Sequence, residues 1–139
     1  MPAFFFDSSA LAKCYVIEVG SAWVRAILAP ASRNDIHVLP VAEVEVASAI
    51  VRRRNTGAIS VADAATALIQ LRHDFTTDYI VLGAPDQLFN FAVSLVETYG
   101  LRAYDAVQLA AAAELNRVRT TGGLLPAAIV SADQELNVV

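Results

Sequence analysis

The chain has 139 residues, the length of one ordinary domain, and 56% apolar against 17% charged residues exclude a disordered segment. No uninterrupted apolar run reaches the roughly 18–20 residues of a membrane span, and the opening Met-Pro-Ala-Phe-Phe-Phe-Asp has no basic stretch before a long apolar one, so neither a membrane protein nor a signal peptide is expected. Ten Lys+Arg against fourteen Asp+Glu give a net charge of −4, which argues against a passive binder of phosphate backbones. The single cysteine, Cys14, rules out an intramolecular disulfide or a cysteine-rich zinc cage and makes a reducing, cytoplasmic setting the expectation.

Strand-length apolar runs alternate with longer segments of helical period, the pattern of an α/β sandwich around a parallel sheet. The first strand is Ala3–Phe6, ending abruptly at Asp7, and Ser8 and Ser9 are placed to cap a helix through Tyr15. A second helix is expected over Gly20–Leu28, stopped by Pro30. Ile36–Leu39 reads as a strand closed by Pro40, and a helix follows from Val41 to Arg54. Ser60 and Asp63 form a capping-box pattern ahead of Leu68, Ile69 and Phe75. Tyr79–Leu82 is the third strand. Pro85 and Asp86 open a helix that Gly100 caps, Asp105–Leu115 is an alanine-rich helix, and Ala127–Val130 is the fourth strand.

Two of these strands run into an aspartate, Asp7 and Asp133. In open parallel sheets the functional crevice lies beyond the carboxyl ends of the strands, so both fall on one rim, with Asp105 at the start of a helix on that same side. Glu43 and Glu45 are the remaining candidates; two residues apart on a helix is about 200°, so they cannot share a face. An aspartate after a strand also serves as a plain helix N-cap, and a helix glutamate as a solvated one. Four carboxylates gathered together need a reason, because a pair at ~4 Å repels by about 1 kcal/mol in water and about 4 kcal/mol at an effective dielectric near 20. A divalent cation reverses that sign, and an all-oxygen set suits Mg²⁺ or Mn²⁺. Such an ion polarises a phosphodiester and activates water, and with four carboxylates committed to it the acidic balance is no longer an objection to nucleic acid.

The local sequences carry a resemblance. Phe5-Phe6-Asp7-Ser8-Ser9-Ala10-Leu11-Ala12-Lys13 resembles the opening of PIN-domain ribonucleases, above all the VapC-type toxins of toxin–antitoxin pairs, and Tyr15-Val16-Ile17-Glu18-Val19-Gly20-Ser21 looks like their next stretch. Glu45-Val46-Ala47-Ser48-Ala49-Ile50 is similar to the second acidic motif, which selects Glu45 over Glu43. Leu101-Arg102-Ala103-Tyr104-Asp105-Ala106-Val107-Gln108-Leu109-Ala110 is the most specific match, and Ile129-Val130-Ser131-Ala132-Asp133 resembles the last acidic motif. The likeness runs in order from Phe5 to Asp133.

The resemblance implies a three-layer α/β/α sandwich in a single domain and an Mg²⁺- or Mn²⁺-dependent endoribonuclease of RNA. It implies Asp7, Glu45, Asp105 and Asp133 as the acidic quartet, with Asp7 and Asp105 most directly on the metal and Glu45 completing the shell or orienting a water. Ser9 and Ser131 would support the carboxylates or cap the backbone. Family members usually continue beyond the last aspartate with a short helix and strand, whereas this sequence stops at Val139, so a form shortened at its C-terminus is expected. An antitoxin protein and a homodimer are the implied partners, and the helix faces around Trp23, Ile27 and Leu28, or Leu68 and Phe75, would serve them where core packing does not use them.

Lys13, Arg52, Arg53, Arg54 and Arg102 are the candidate RNA contacts, although Arg52–Arg54 also complement the negative end of their helix. His37, His73 and Cys14 read as structural. The sequence has no Gly-x-Ser-x-Gly, P-loop or dinucleotide fingerprint, which leaves a phosphatase-like or nucleotide-binding domain without its phosphate-cradling glycines. The rival reading is a catalytically silent PIN-like module that keeps the acidic pocket to bind a protein or RNA partner.

Overall fold

A computed structural model describes residues 2–132. It is an α/β/α sandwich on a four-stranded, fully parallel sheet. The strands are β1 (Ala3–Phe6), β2 (Asp35–Val38), β3 (Ile80–Val81) and β4 (Ala128–Val130), in the spatial order β3-β2-β1-β4. The helices are α1 (Ser8–Tyr15), α2 (Ser21–Leu28), α3 (Pro40–Asn55), α4 (Val61–Thr77), α5 (Asp86–Tyr99) and α6 (Ala103–Thr121), with a 3₁₀ turn over Pro30–Ser32.

β1 is apolar at every position because helices cover both of its faces. Phe6 packs with Leu11, Val24, Val46, Ile50 and Leu71 of α1–α4, and Phe4 reaches the same side. Phe5 points the other way, into Leu88, Ala92, Ala106 and Ala110 of α5 and α6. The alanines of α6 let that helix approach the sheet closely. Truncating a fully buried phenylalanine such as Phe6 costs about 3–5 kcal/mol.

β1 pairs with β2 on one side and β4 on the other, so the strand order reverses beside β1. At such a reversal the connections leave in opposite directions and open a crevice at the carboxyl ends. Asp7 closes β1 there, and its backbone N–H extends the ladder to the Val130 carbonyl at 3.2 Å.

Most elements follow their expected bounds, with three corrections. The cap of α1 is Asp7 itself, whose side chain accepts from the Ala10 N–H, and not Ser8 or Ser9. The last helix begins two residues earlier than Asp105 and runs six beyond Leu115: its apolar period stops, but Asn116 clamps both backbone groups of Ala127, at 2.7 Å and 3.3 Å, and holds the polar extension against the entry to β4. The strand over Tyr79–Leu82 contracts to Ile80–Val81, although the Leu82 N–H still reaches the Val38 carbonyl at 2.9 Å. The Ser60 cap forms as expected, accepting from Asp63 N–H at 3.0 Å, and Gly100 ends α5 at φ +67°, where any L side chain is strained. Among the described residues no helix is long and apolar enough to cross a membrane.

Candidate active site

Asp7 is 2% exposed, at the strand-order reversal. Its Oδ1 accepts from Ser9 Oγ at 2.7 Å and from the Ala10 backbone at 3.0 Å, and its Oδ2 accepts from the Ser131 hydroxyl. Ser9 Oγ in turn accepts from the Ala132 N–H at 3.0 Å. The two serines therefore link the end of β1 to the end of β4 and lock the carboxylate in one orientation. All its donors are neutral. A carboxylate offers about four lone-pair directions, so one on Oδ2 remains after these three bonds.

The first turn of α6 stands on the same rim. Tyr104 identifies it: its hydroxyl accepts from Gln108 Nε2 at 2.7 Å and lies in the fields of both the Glu45 and Asp7 carboxylates. Burial, above all, pushes the Tyr104 hydroxyl up to about 12, and the two carboxylates add to the rise. The next residue, Asp105, is buried at the third position of the helix and is not its cap; Arg102 holds the cap position. Of the two candidate glutamates on α3, Glu45 is the one whose charge reaches Tyr104; it is exposed, whereas Glu43 is half-buried in the first turn.

Asp7, Glu45 and Asp105 thus lie toward one rim, brought there by one strand end and the beginnings of two helices. They are not drawn into a tight trio, with one ligand atom from each within 4.8 Å of the others. Asp133, the fourth member of the expected quartet, lies outside the described residues; Ser131, two positions before it, is already in the site.

The basic candidates divide. Arg102 is on the rim. Lys13 Nζ instead pairs with Glu18 Oε1 at 3.2 Å and caps the Val19 carbonyl at 2.7 Å, and Arg53 Nη2 pairs with Glu18 Oε2 at 3.0 Å. These bonds brace the α1–α2 connection, where Gly20 at φ +92° makes the turn, against the end of α3. Arg52 bonds Ser48 and Arg54 bonds Asn55, both locally. Since α3 starts at the carboxyl rim and rises ~1.5 Å per residue, the arginine run points away from Asp7, about 10–13 Å beyond Glu45.

A second set of polar groups occupies the opposite, amino-terminal end of the sheet. Asp74 accepts from Tyr15 at 2.6 Å and from Gln70 at 2.7 Å, and the Tyr15 and Tyr79 hydroxyls bond each other at 2.6 Å. Burial pushes both phenols far up, and their mutual contact and Asp74 hold Tyr15 there as well. Asp74 shares a cavity of about 260 Å³ with Arg25, Asp78 and Cys14. One atom each from His73, Asp74 and Asp78 lies within 4.8 Å of the others, so this cluster can hold a metal ion. Sequence reasoning missed it: Asp74 and Asp78 are one helical turn apart, but the tyrosines that close on Asp74 come from 59 residues before it and 5 after it. His37 is buried, as expected of a structural histidine; its ring nitrogen meets the Phe4 carbonyl at 3.3 Å, and burial lowers its pKa.

No family model and no curated protein matches the chain. Among solved structures, the crystal structure of PAE2754 from Pyrobaculum aerophilum is similar, with a TM-score of 0.61 at 20% identity over 97% of this chain and 82% of that one. At that identity the likeness is one of fold.

Proposed function

We propose that the chain is a metal-dependent endoribonuclease of the PIN type, the toxin of a toxin–antitoxin pair. The observation that carries the reading is Asp7, a buried carboxylate at the strand-order reversal, oriented by two serines and sharing its rim with Glu45 and Asp105. The ordered motifs from Phe5 to Asp133 supply the family resemblance.

The donor set fits a hard divalent cation. It is made of oxygens only, Asp7 keeps a lone-pair direction, and its bonded partners carry no positive charge. Asp7 and Asp105 would hold Mg²⁺ or Mn²⁺, with Glu45 and Asp133 beside them. The ion would supply a polarised phosphodiester and a water of lowered pKa. The chain's own residues do the rest. Ser9 and Ser131 prevent Asp7 from rotating, Glu45 is exposed and able to accept a proton from or orient a water, and Arg102 places positive charge at the rim where an RNA backbone would pass.

The partner part of this reading draws on two apolar surfaces. Ile17, Val19 and Trp23 are exposed around the α1–α2 connection. Helix α5 carries apolar residues beyond its buried face: Leu88 and Ala92 are buried while Phe89, Val93, Val96 and Tyr99 are exposed, and such a widened apolar surface suits a covering partner. An antitoxin and a second copy are the proposed covers. The silent binding module draws support from the loose spacing of the three carboxylates and from Glu18 engaging Lys13 and Arg53.

Cleavage of a structured-RNA pool in Mg²⁺, Mn²⁺ and EDTA, beside Asp105→Asn purified identically, tests the reading. Cleavage that requires metal and disappears in the variant supports it; equal behaviour of the two proteins favours the binding module.

A further inference from the structure

Helix α4 ends with charges of the wrong sign. Asp74 lies in its last turn and Asp78 is its C-cap, four residues on, and that turn carries no lysine or arginine. The carboxyl end of a helix bears partial negative charge and favours cations, and like charges four residues apart repel. Helices α1, α2, α3 and α6 each place a lysine or arginine there. Asp74 is moreover only 6% exposed, so its charge is also held out of water.

The protein around it does not supply the missing positive charge. Among the described residues no lysine or arginine forms an ion pair with Asp74 or Asp78. Arg25 lines the same cavity of about 260 Å³, but its Nε is spent on the Cys14 carbonyl at 3.0 Å. Tyr15 and Gln70 each donate to one oxygen of Asp74, which leaves both oxygens a further lone-pair direction. The Thr77 hydroxyl has one proton for the His73 carbonyl at 2.8 Å and Asp78 Oδ1 at 3.1 Å, so it cannot satisfy both.

The geometry suits a metal ion. One ligand atom each of His73, Asp74 and Asp78 lies within 4.8 Å of the other two. Donors on one four-coordinate Zn²⁺ ion stand ~3.4 Å apart. His73 and Asp78 are exposed, so small rotations of their side chains close the set on Asp74. Asp74 and Asp78 also line the cavity, which leaves room beside them for a further ligand such as water.

We propose that the end of α4 is a metal site separate from the Asp7 rim, taking a divalent cation of the Zn²⁺ type on a ring nitrogen of His73 and an oxygen each of Asp74 and Asp78. An imidazole with two carboxylates suits zinc or cobalt, whereas magnesium takes oxygen ligands and keeps its waters. The ion offsets the two acids and the helix end together. Tyr15 and Gln70 hold the Asp74 carboxylate in place, as the outer partners of metal ligands do. Because Asp78 immediately precedes Tyr79, the ion also fastens the end of α4 to the entry of β3. The inference is independent of the ribonuclease reading.

The chain has two histidines, which makes the test specific to a residue. By NMR, Zn²⁺ added to the full chain should shift the His73 ring resonances and leave those of buried His37 in place, and Mg²⁺ should shift neither. In Asp78→Ala the Zn²⁺ concentration that moves His73 should rise at least ~10-fold, the smallest cost of losing even an outer-shell partner. Zn²⁺ should raise the melting temperature of wild type, and His73→Ala should shrink that rise. Both replaced residues are exposed, so the metal-free variants should melt as wild type does.

His73 resonances that ignore Zn²⁺ overturn the site, and an equal response to Mg²⁺ overturns the class of cation. Equal shifts at both histidines, or an Asp78→Ala protein that responds at the wild-type concentration, mean an adventitious ion only. A melting rise that is undiminished in His73→Ala overturns the bracing role. None of these readouts involves RNA cleavage, so they stand whether or not the chain is a ribonuclease.

Discussion

Two buried aspartates stand at opposite ends of one sheet, and their surroundings separate a candidate site from a brace. Asp7, 2% exposed at the carboxyl rim, takes its bonds from Ser9, Ser131 and a backbone amide and has further carboxylates for neighbours. Asp74, 6% exposed at the amino rim, takes its bonds from Tyr15 and Gln70, stands beside the Tyr15–Tyr79 contact, and shares its cavity with Arg25. Around Asp74, with Asp78 and His73 close by, large rings tie α1 to α4 and to the entry of β3. Around Asp7 small hydroxyls fix the orientation, and the neighbouring acids add to the negative charge. Burial alone does not mark a candidate functional carboxylate; the groups that bond it and the end of the sheet it occupies set the two apart.

The comparison breaks most visibly at Asp7. Asp7→Asn should lower metal-dependent RNA cleavage by about 10³-fold, equivalent to ~4 kcal/mol of transition-state stabilisation. Its metal-free stability should stay within about 0.5 kcal/mol of wild type, because asparagine caps helices as well as aspartate and its Oδ1 still accepts from Ser9 and Ala10. Cleavage assays paired with denaturant titration of the metal-free protein check both halves. A large stability loss with cleavage intact would make Asp7 a cap and nothing more.

Asp74→Ala should do the reverse. It removes an acceptor from the half-buried Tyr15 hydroxyl, which keeps Tyr79 as a partner, and from the exposed Gln70 amide, at a cost of about 1–2 kcal/mol in urea or guanidinium unfolding. Activity per folded molecule should remain. Loss of activity in a fully folded Asp74→Ala protein would undo the division between the two ends.

Smaller effects sharpen the same contrast. His37 has a folded pKa below its ordinary value because it is buried, so the unfolded chain binds more protons as pH falls past about 6.5. Its contribution is present in full above that pH and is lost as pH drops toward the folded value. His37→Gln should flatten the acid side of the stability profile between pH 7 and 5, measured as the difference from wild type. The weakest effect belongs to the half-exposed Glu18 pairs. Glu18→Gln should cost no more than about 1 kcal/mol, less at high salt, and leave cleavage unaltered if Lys13 and Arg53 brace the fold instead of holding RNA.

Local signals made much of this legible. The apolar run broken at Asp7, the Ser60–Asp63 cap, Pro40 at the start of α3 and Gly100 at φ +67° each act within a few residues, so a sequence reading can weigh them. Parallel pairing followed from strands alternating with helices, and it put Asp7, the start of α6 and the end of β4 on one rim. Other features needed distant partners. Nothing local announces that Asn116 clamps Ala127 and prolongs α6, or that Tyr15 closes on Asp74. Glu18 engages the candidate RNA contacts Lys13 and Arg53 through pairs made only in three dimensions. The Tyr104–Gln108 pair was invisible for a different reason: its spacing is that of an ordinary helix face, and only the orphaned amide oxygen sets it apart.

The most direct measurement is cleavage of a structured-RNA pool by purified wild type and Asp7→Asn, each in Mg²⁺, Mn²⁺ and EDTA. The account predicts cuts by wild type in either metal, none in EDTA, and none by a variant that is folded and as stable as its parent. Wild-type and Asp7→Asn proteins that cleave alike, or wild-type cleavage that persists in EDTA, would contradict it.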